Sequence, residues 1–318
     1  MLQTTTIQRP PPLERHPEDQ PMSGTSPIET HGLCRRFGAT VALDSVGWAP
    51  APGSAIGLLG RNGAGKTTLL QTIAGLSLPD SGSCRTLGVD VSELGPGQLS
   101  RMGYVGQGEQ LLSWLTVEQH VRYVASFQPR WDEGLEARLR EALELDGKAR
   151  VGALSPGMRQ RLALLLAVCH RPRLLLLDEP VSALDPVARV DALQLILERV
   201  IDDGATVVIS SHVLHDVEKI IDHVFCLEKG RVIADTPLDD LKERYAEWIV
   251  TSDGAEIPSR FAEDYVLTQE GDGHRMLLAV CANAAEQADF SARHQLQIER
   301  RSLDLAHIFP LLTAGRRS

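Results

Sequence analysis

The sequence predicts an α/β protein whose main sheet is mostly parallel, and three observations carry that prediction. The apolar run Ala55–Leu59 leads straight into the glycine-rich stretch Gly60–Thr68. A second apolar run, Leu174–Leu177, ends in Asp178 and Glu179, and beyond it strand-like and helix-like segments alternate. Strands that alternate with helices are joined by crossover connections, which makes neighbouring strands parallel. The chain has 318 residues, 43% hydrophobic and 23% charged, enough for one large domain and a small second one. No apolar run approaches the roughly 20 residues that cross a bilayer, so the chain is expected not to span a membrane. A net charge of −10 gives no global attraction for nucleic acid, and no direct nucleic-acid partner is expected.

Taken in order, residues 1–27 are rich in Pro, Thr, Gln and charge, and predict a flexible tail that cannot bury enough apolar surface to offset its ordering entropy. Charges and prolines stand where the apolar core of a secretion signal would lie, so no export signal is expected. From Ile28 short strands dominate, including Val41–Trp48 and Ala55–Leu59, and predict an antiparallel N-terminal β portion. A helix is expected over 68–75. Between about 108 and 170 the spacing turns helical, with Thr116–Phe127, Glu133–Leu145 and Met158–Cys169 forming an inserted helical lobe. Leu174–Asp178 and Ala205–Ser210 read as buried strands, joined by a helix that Pro186 starts and Gly204 ends. The segment 205–228 gives strand, helix and strand, and Gly230 turns a hairpin into Arg231–Ala234. These elements place one large domain at 28–240. Residues 241–318 then read as a small α+β module with strands at Trp248–Thr251 and Arg275–Val280 and a short helix within Ser302–Leu312. The five cysteines are odd in number and widely spaced without a C-x-x-C pair, which predicts free thiols in a reducing cytosol.

The chemistry begins at Gly60–Thr68, which fits G-x-x-x-x-G-K-[ST] in its required place between a strand and a helix. Glycines let backbone N–H groups curl round phosphate oxygens, Lys66 brings a compact cation to the terminal phosphates, and Thr67 offers a hydroxyl to Mg²⁺. The N-terminus of the following helix points at the same anion. The fold class is therefore a P-loop NTPase core that takes a nucleoside triphosphate. Asp178, at the end of a buried strand, is placed to hold Mg²⁺, and Glu179 to act as general base toward the attacking water. His212, His215 and His223 lack the cysteine or acidic complement of a zinc site.

Leu154-Ser155-Pro156-Gly157-Met158-Arg159-Gln160-Arg161 reads in isolation as an N-cap serine with proline at the first helical position. Placed shortly before the apolar strand that ends in Asp178 and Glu179, it resembles the LSGGQ signature of the ATP-binding-cassette (ABC) ATPases. Further motifs follow the same order. Gln107 is similar to the family's Q-loop glutamine, Ser182-Ala183-Leu184-Asp185 to its D-loop, and His212 to its switch histidine, while Phe37 stands where the family stacks an aromatic ring on adenine. The resemblance covers about Ile28–Leu241. It implies ATP contacts from Phe37, Gly60, Asn62, Gly63, Ala64, Gly65, Lys66, Thr67, Thr68, Gln107, Ser155, Gly157 and Asp178, with Mg²⁺ at Thr67, Gln107 and Asp178. It implies catalytic roles for Lys66, Glu179 and His212, with His212 bonding the γ-phosphate. Ser155 and the Gly157 amide would contact the nucleotide held by a second subunit, in a homodimer or a heterodimer with another ABC ATPase.

Two departures stand out: Pro156 removes one signature amide, and Met158 replaces the signature glutamine. The Leu-Ser-x-Gly-Met-x-Gln-Arg form, Gln128–Asp132, Asp185–Arg189 and the ending Ser302–Phe309 look most like the ATPase subunits of bacterial ABC exporters. That likeness implies a cytoplasmic protein on the inner face of the membrane, driving a separate membrane-spanning permease subunit through the lobe around Gln107–Phe127. The alternative is a soluble ABC ATPase acting on nucleic acid or the ribosome. Such proteins usually carry two cassettes or a long coiled-coil insert.

Overall fold

The computed structural model describes residues 25–108, 111–180, 200–201, 203–252, 256–272 and 274–314. Most of the expected N-terminal tail, the D-loop stretch 182–185 and nearly all of the expected helix 186–204 lie outside the described residues.

The N-terminal strands form an antiparallel sheet. β1 (Ile28–Phe37) pairs with β2 (Thr40–Trp48) on one side and β4 (Ser81–Thr86) on the other, and β4 pairs with β5 (Val89–Asp90). Between β2 and β4 the chain enters the second sheet through β3 (Ala55–Leu59) and leaves it by α1 (Lys66–Ile73). That second sheet adds β6 (Met102–Val105), β7 (Leu174–Asp178), β8 (Thr206–Ser210), β9 (His223–Glu228) and β10 (Arg231–Pro237), in the order β10-β9-β3-β8-β7-β6. Every pairing is parallel except β9 with β10. The mostly parallel core and the antiparallel N-terminal portion both stand as expected.

Burial explains the strand sequences. β3, β7 and β8 are buried at every position, because helices or the first sheet cover both faces. Leu174–Leu177 are all fully buried, and each such side chain contributes about 2 kcal/mol. Side chains of alternate strand positions feed two clusters. Leu175, Leu177, Val207 and Ile209 join the helical lobe, and Leu174, Leu176 and Val208 join α1 and the first sheet.

Between β5 and β6 lies α2 (Pro96–Leu99), and between β6 and β7 lie α3 (Val117–Ala125), α4 (Glu133–Ala142) and α5 (Pro156–Val168). Each lobe helix starts at a side-chain cap: Thr116 accepts from Gln119 N–H, Asp132 from Leu135 N–H, and Ser155 from Met158 N–H. The lobe is tied back to the sheet by Arg171, which donates to Asp132 Oδ2 at the start of α4 and, at 2.8 Å, to Asp203 ahead of β8.

After β8 come α6 (Leu214–Glu218), the helix expected between two strands of 205–228, and α7 (Leu238–Arg244). The remaining strands are β11 (Tyr245–Thr251), β12 (Val266–Gly271), β13 (Arg275–Cys281) and β14 (Gln297–Ser302), in the all-antiparallel order β12-β13-β11-β14. Helix α8 (Ala284–His294) sets fully buried Phe290 against Trp248, at a ring separation of 5.4 Å. This sheet has its own apolar core. The final helix, α9 (Leu305–Ala314), packs elsewhere, into the cluster that serves the lobe and the large sheet.

Candidate nucleotide-binding and hydrolytic site

The loop from β3 to α1 depends on glycine at two places. A Cβ on Gly60, at φ +154°, would lie 2.5 Å from the Leu227 carbonyl oxygen. One on Gly65, at φ +107°, would lie 2.4 Å from that of Ala42. Both neighbours are backbone, which cannot step aside. The loop is thus pressed between β2 and β9, and Lys66 opens α1 with its side chain buried. Lys66 Nζ donates to the Gly60 carbonyl at 2.7 Å and to that of Arg61 at 3.4 Å, so its charge is folded back into the loop.

Asp178 and Glu179 stand at the end of β7, beside β8. The register that sets Asp178 opposite Ser210 brings a hydroxyl to both acids. Ser210 Oγ donates to Asp178 Oδ1 at 2.6 Å and accepts the Glu179 N–H at 2.9 Å. Asp178 Oδ2, equally buried, takes no hydrogen bond. Burial pushes the Asp178 carboxyl above the usual carboxylate range; the Ser210 and Thr67 hydroxyls and the Lys66 charge oppose this, and Glu179 adds to it. A buried carboxylate oxygen without a donor, beside a threonine hydroxyl, is the donor set a hard divalent cation takes, so these residues fit Mg²⁺.

A raised carboxyl pKa means that the folded state binds the proton more tightly than the unfolded one. Stability therefore falls as pH rises from the ordinary aspartate range through the elevated value. Asp178→Asn is expected to raise the melting temperature of the nucleotide-free protein at neutral pH, with a gain that shrinks in acid. Melting curves taken across that pH range check it.

Glu179 adopts φ +53°, a left-handed conformation uncommon for a residue with a long side chain. Such backbone strain costs of order 1–3 kcal/mol and collects at functional sites. Its carboxylate Oε2 accepts from His212 Nδ1 at 2.6 Å and from the His212 backbone N–H at 3.4 Å. The Glu179 side chain is 9% exposed and the His212 ring 56%, so an enclosed acid is joined to an imidazole that reaches solvent. His223 pairs with Asp235 instead, apart from His212.

These groups line one cleft of about 640 Å³. Asn62, Gly63, Ala64, Gly65, Lys66, Thr67 and Thr68 supply one wall, Gln107 and its glycine neighbours a second, and Asp178, Glu179 and His212 the end. Gly60, the first residue of the loop, is not among the residues that line the cleft. Phe37 lies at the end of β1, 51% exposed, with the Arg35 guanidinium 4.9 Å from its ring centroid, so it is a surface ring and not a core one. Ser155 and Gly157 are not among the residues that line this cleft; Ser155 caps α5 at an exposed position and Gly157 is half-buried in its first turn. Residues that escaped the sequence reading include Ser210, which orients both acids, and Thr40, Ala42 and Gln160, which line the cleft. A serine closing an apolar strand beside the acidic one was the available signal for the first.

The sequence pattern of the family described as "ABC transporter" matches residues 43–182. The chain is 34% identical over 224 residues to the uncharacterized ABC transporter ATP-binding protein YxlF of Bacillus subtilis (strain 168), covering 68% of this chain and 73% of YxlF. The chain belongs to the ABC transporter ATP-binding proteins. This ABC ATPase is also 32% identical to the bacitracin transport ATP-binding protein BcrA of Bacillus licheniformis, over 70% of this chain and 73% of BcrA. It is 35% identical to the aliphatic sulfonates import ATP-binding protein SsuB 1 of Burkholderia lata, over 71% of this chain and 69% of SsuB 1. Among solved structures, an "ATP binding subunit of ABC transporter" superposes with a TM-score of 0.62 at 28% identity, over 68% of this chain and 91% of that one. The protein is thus an ATP-binding subunit of an ABC transporter and an ATPase, and the P-loop NTPase fold holds. These relatives include both a bacitracin transport protein and an importer of aliphatic sulfonates. No helix among the described residues is long and apolar enough to cross a membrane.

Proposed function

We propose that this ATPase holds ATP between two protomers and uses the closing and reopening of that pair to drive a separate membrane-spanning permease subunit. The observation that carries the reading is the single cleft in which the phosphate-binding loop, Asp178, and the Glu179–His212 pair meet. Lys66 and the loop amides bind the β- and γ-phosphates, Phe37 stacks on adenine, and Glu179 accepts the proton of the attacking water. With Nδ1–H donated to Glu179, Nε2 can donate to the γ-phosphate only in the imidazolium form of His212. Thr67, Asp178 and Gln107 would hold Mg²⁺, which when bound would supply charge neutralisation on the phosphate oxygens.

Ser155 and the Gly157 amide complete the site of the other protomer. Ser155 is exposed at the cap of this 13-residue helix and neither residue lines its own chain's cleft, which supports that division of labour. The permease contact falls on the helical lobe, where Trp114, Tyr123 and Phe127 are exposed. Export is the direction favoured, on the likeness of the signature and C-terminal segments. The protein then works in the cytoplasm on the inner face of the membrane. The division of the chain into a tail at 1–27, a cassette at 28–240 and a C-terminal module at 241–318 belongs to the same proposal.

Complementation tests it. Lys66→Ala and Ser155→Ala proteins are each expected to turn over ATP poorly. An equal mixture should regain a substantial part of the parental rate, because mixed dimers hold one site with both residues intact. A mixture no faster than the mean of its components contradicts the shared site.

A further inference from the structure

Helix α9 leaves the C-terminal sheet and lies on α6, the five-residue helix that begins two residues after His212. Leu305 and Ile308 of α9 are fully buried in one apolar cluster with Val217 of α6 and Leu238 and Leu241 of α7. A helix as short as α6 cannot hold itself, so its position is set by what packs on it.

One carboxylate fastens this seam. Glu218, the last residue of α6, is 12% exposed in its side chain. Its Oε2 accepts the Leu305 backbone N–H at 3.0 Å, and its Oε1 pairs with Lys242 Nζ of α7 at 2.6 Å. The Leu305 N–H lies in the first turn of α9, where donors lack intrahelical partners and a negative charge is favoured. Lys242 stands three residues before the C-terminal sheet begins, and Leu305 three residues after it ends. Both chain connections of that sheet are therefore tied, through Glu218, to the helix that carries on from His212.

We infer that Glu218 is a positioning residue for ATP hydrolysis: it locks α6 to both ends of the C-terminal sheet and so holds His212 against Glu179. The C-terminal module is then a working part of the switch, and whatever moves it moves the histidine. The inference rests on the proposed roles of Glu179 and His212.

Steady-state ATP turnover of the full chain tests it, with Glu218→Ala, the volume-conserving Glu218→Gln, and His212→Ala as a control. Glu218→Ala should lower kcat about tenfold while KM for ATP stays within twofold, the split expected when an interaction of the hydrolytic step is lost and nucleotide binding is not. Glu218→Gln keeps an acceptor for the Leu305 N–H but loses the charge for Lys242, and should fall between Glu218→Ala and the parent. In Glu218→Gln protein with ¹⁵N-labelled histidine, the ring resonances of His212 should move while those of His223 and His294 stay. Unchanged kcat and unchanged His212 resonances in Glu218→Gln overturn the inference, as does an Ala variant whose loss lies in KM. Undiminished turnover in His212→Ala instead overturns the reading beneath it, which separates the two failures.

Discussion

Glu179→Gln is expected to lower ATP turnover by roughly 10²–10⁴-fold, the range that a positioned general base contributes. The substitution keeps the shape of the side chain and removes its ability to take a proton. The geometry favours a specific loss. The Glu179 backbone N–H is fixed by Ser210, and its Oε2 is held 2.6 Å from His212 Nδ1, so an amide at the same place can still bond the ring. The Lys66 ammonium is held by the Gly60 and Arg61 carbonyls, and ATP affinity should stay within a few-fold of the parent. Turnover and equilibrium binding of a fluorescent ATP analogue, measured on the same preparation, separate the two effects. Turnover within twofold of the parent would remove Glu179 from the chemistry.

Gly65→Ala is expected to act on both folding and binding. At φ +107° a residue with a Cβ is strained by about 1–3 kcal/mol. The added carbon would also sit 2.4 Å from the Ala42 carbonyl oxygen and 3.0 Å from Leu43 Cδ2. Overpacking of that kind costs about 1–3 kcal/mol more. A total near 4 kcal/mol lowers the melting temperature by roughly 8–16 °C in a domain of this size. The loop must shift away from β2 to relieve the clash, which carries its amides and Lys66 off the phosphate positions. ATP binding should weaken at least tenfold even in the folded fraction. A variant that melts and binds like the parent would show that the loop has room which the packing denies it.

Much of this was legible because the chemistry sits where periodicity and punctuation are strongest. Ala55–Leu59 and Leu174–Asp178 are strands from end to end as the sequence suggests, because an apolar run buried on both faces has no other regular use, and the motif residues follow from their ends. α5 starts at Pro156, two residues ahead of the Met158 expected from apolar spacing and where the Ser155 cap and Pro156 read in isolation would put it. The C-terminal segment was harder. β12, β14 and α8 escaped notice because their exposed faces are polar and their apolar signals short; the Asn283-to-Glu286 capping box that starts α8 was the clue left unused. Nor could spacing alone reveal that Ser210 serves both acids, or that Glu218 and Leu305 meet across 87 residues. Those contacts come from strand register and helix docking, which are properties of the packed chain.

The shared site makes one further demand, that bound ATP hold two copies together when it cannot be cleaved. Light scattering on the Glu179→Gln protein, with and without ATP and Mg²⁺, measures this directly. The account predicts a single chain without nucleotide and a dimer with it. A single chain that carries bound, uncleaved ATP would contradict it.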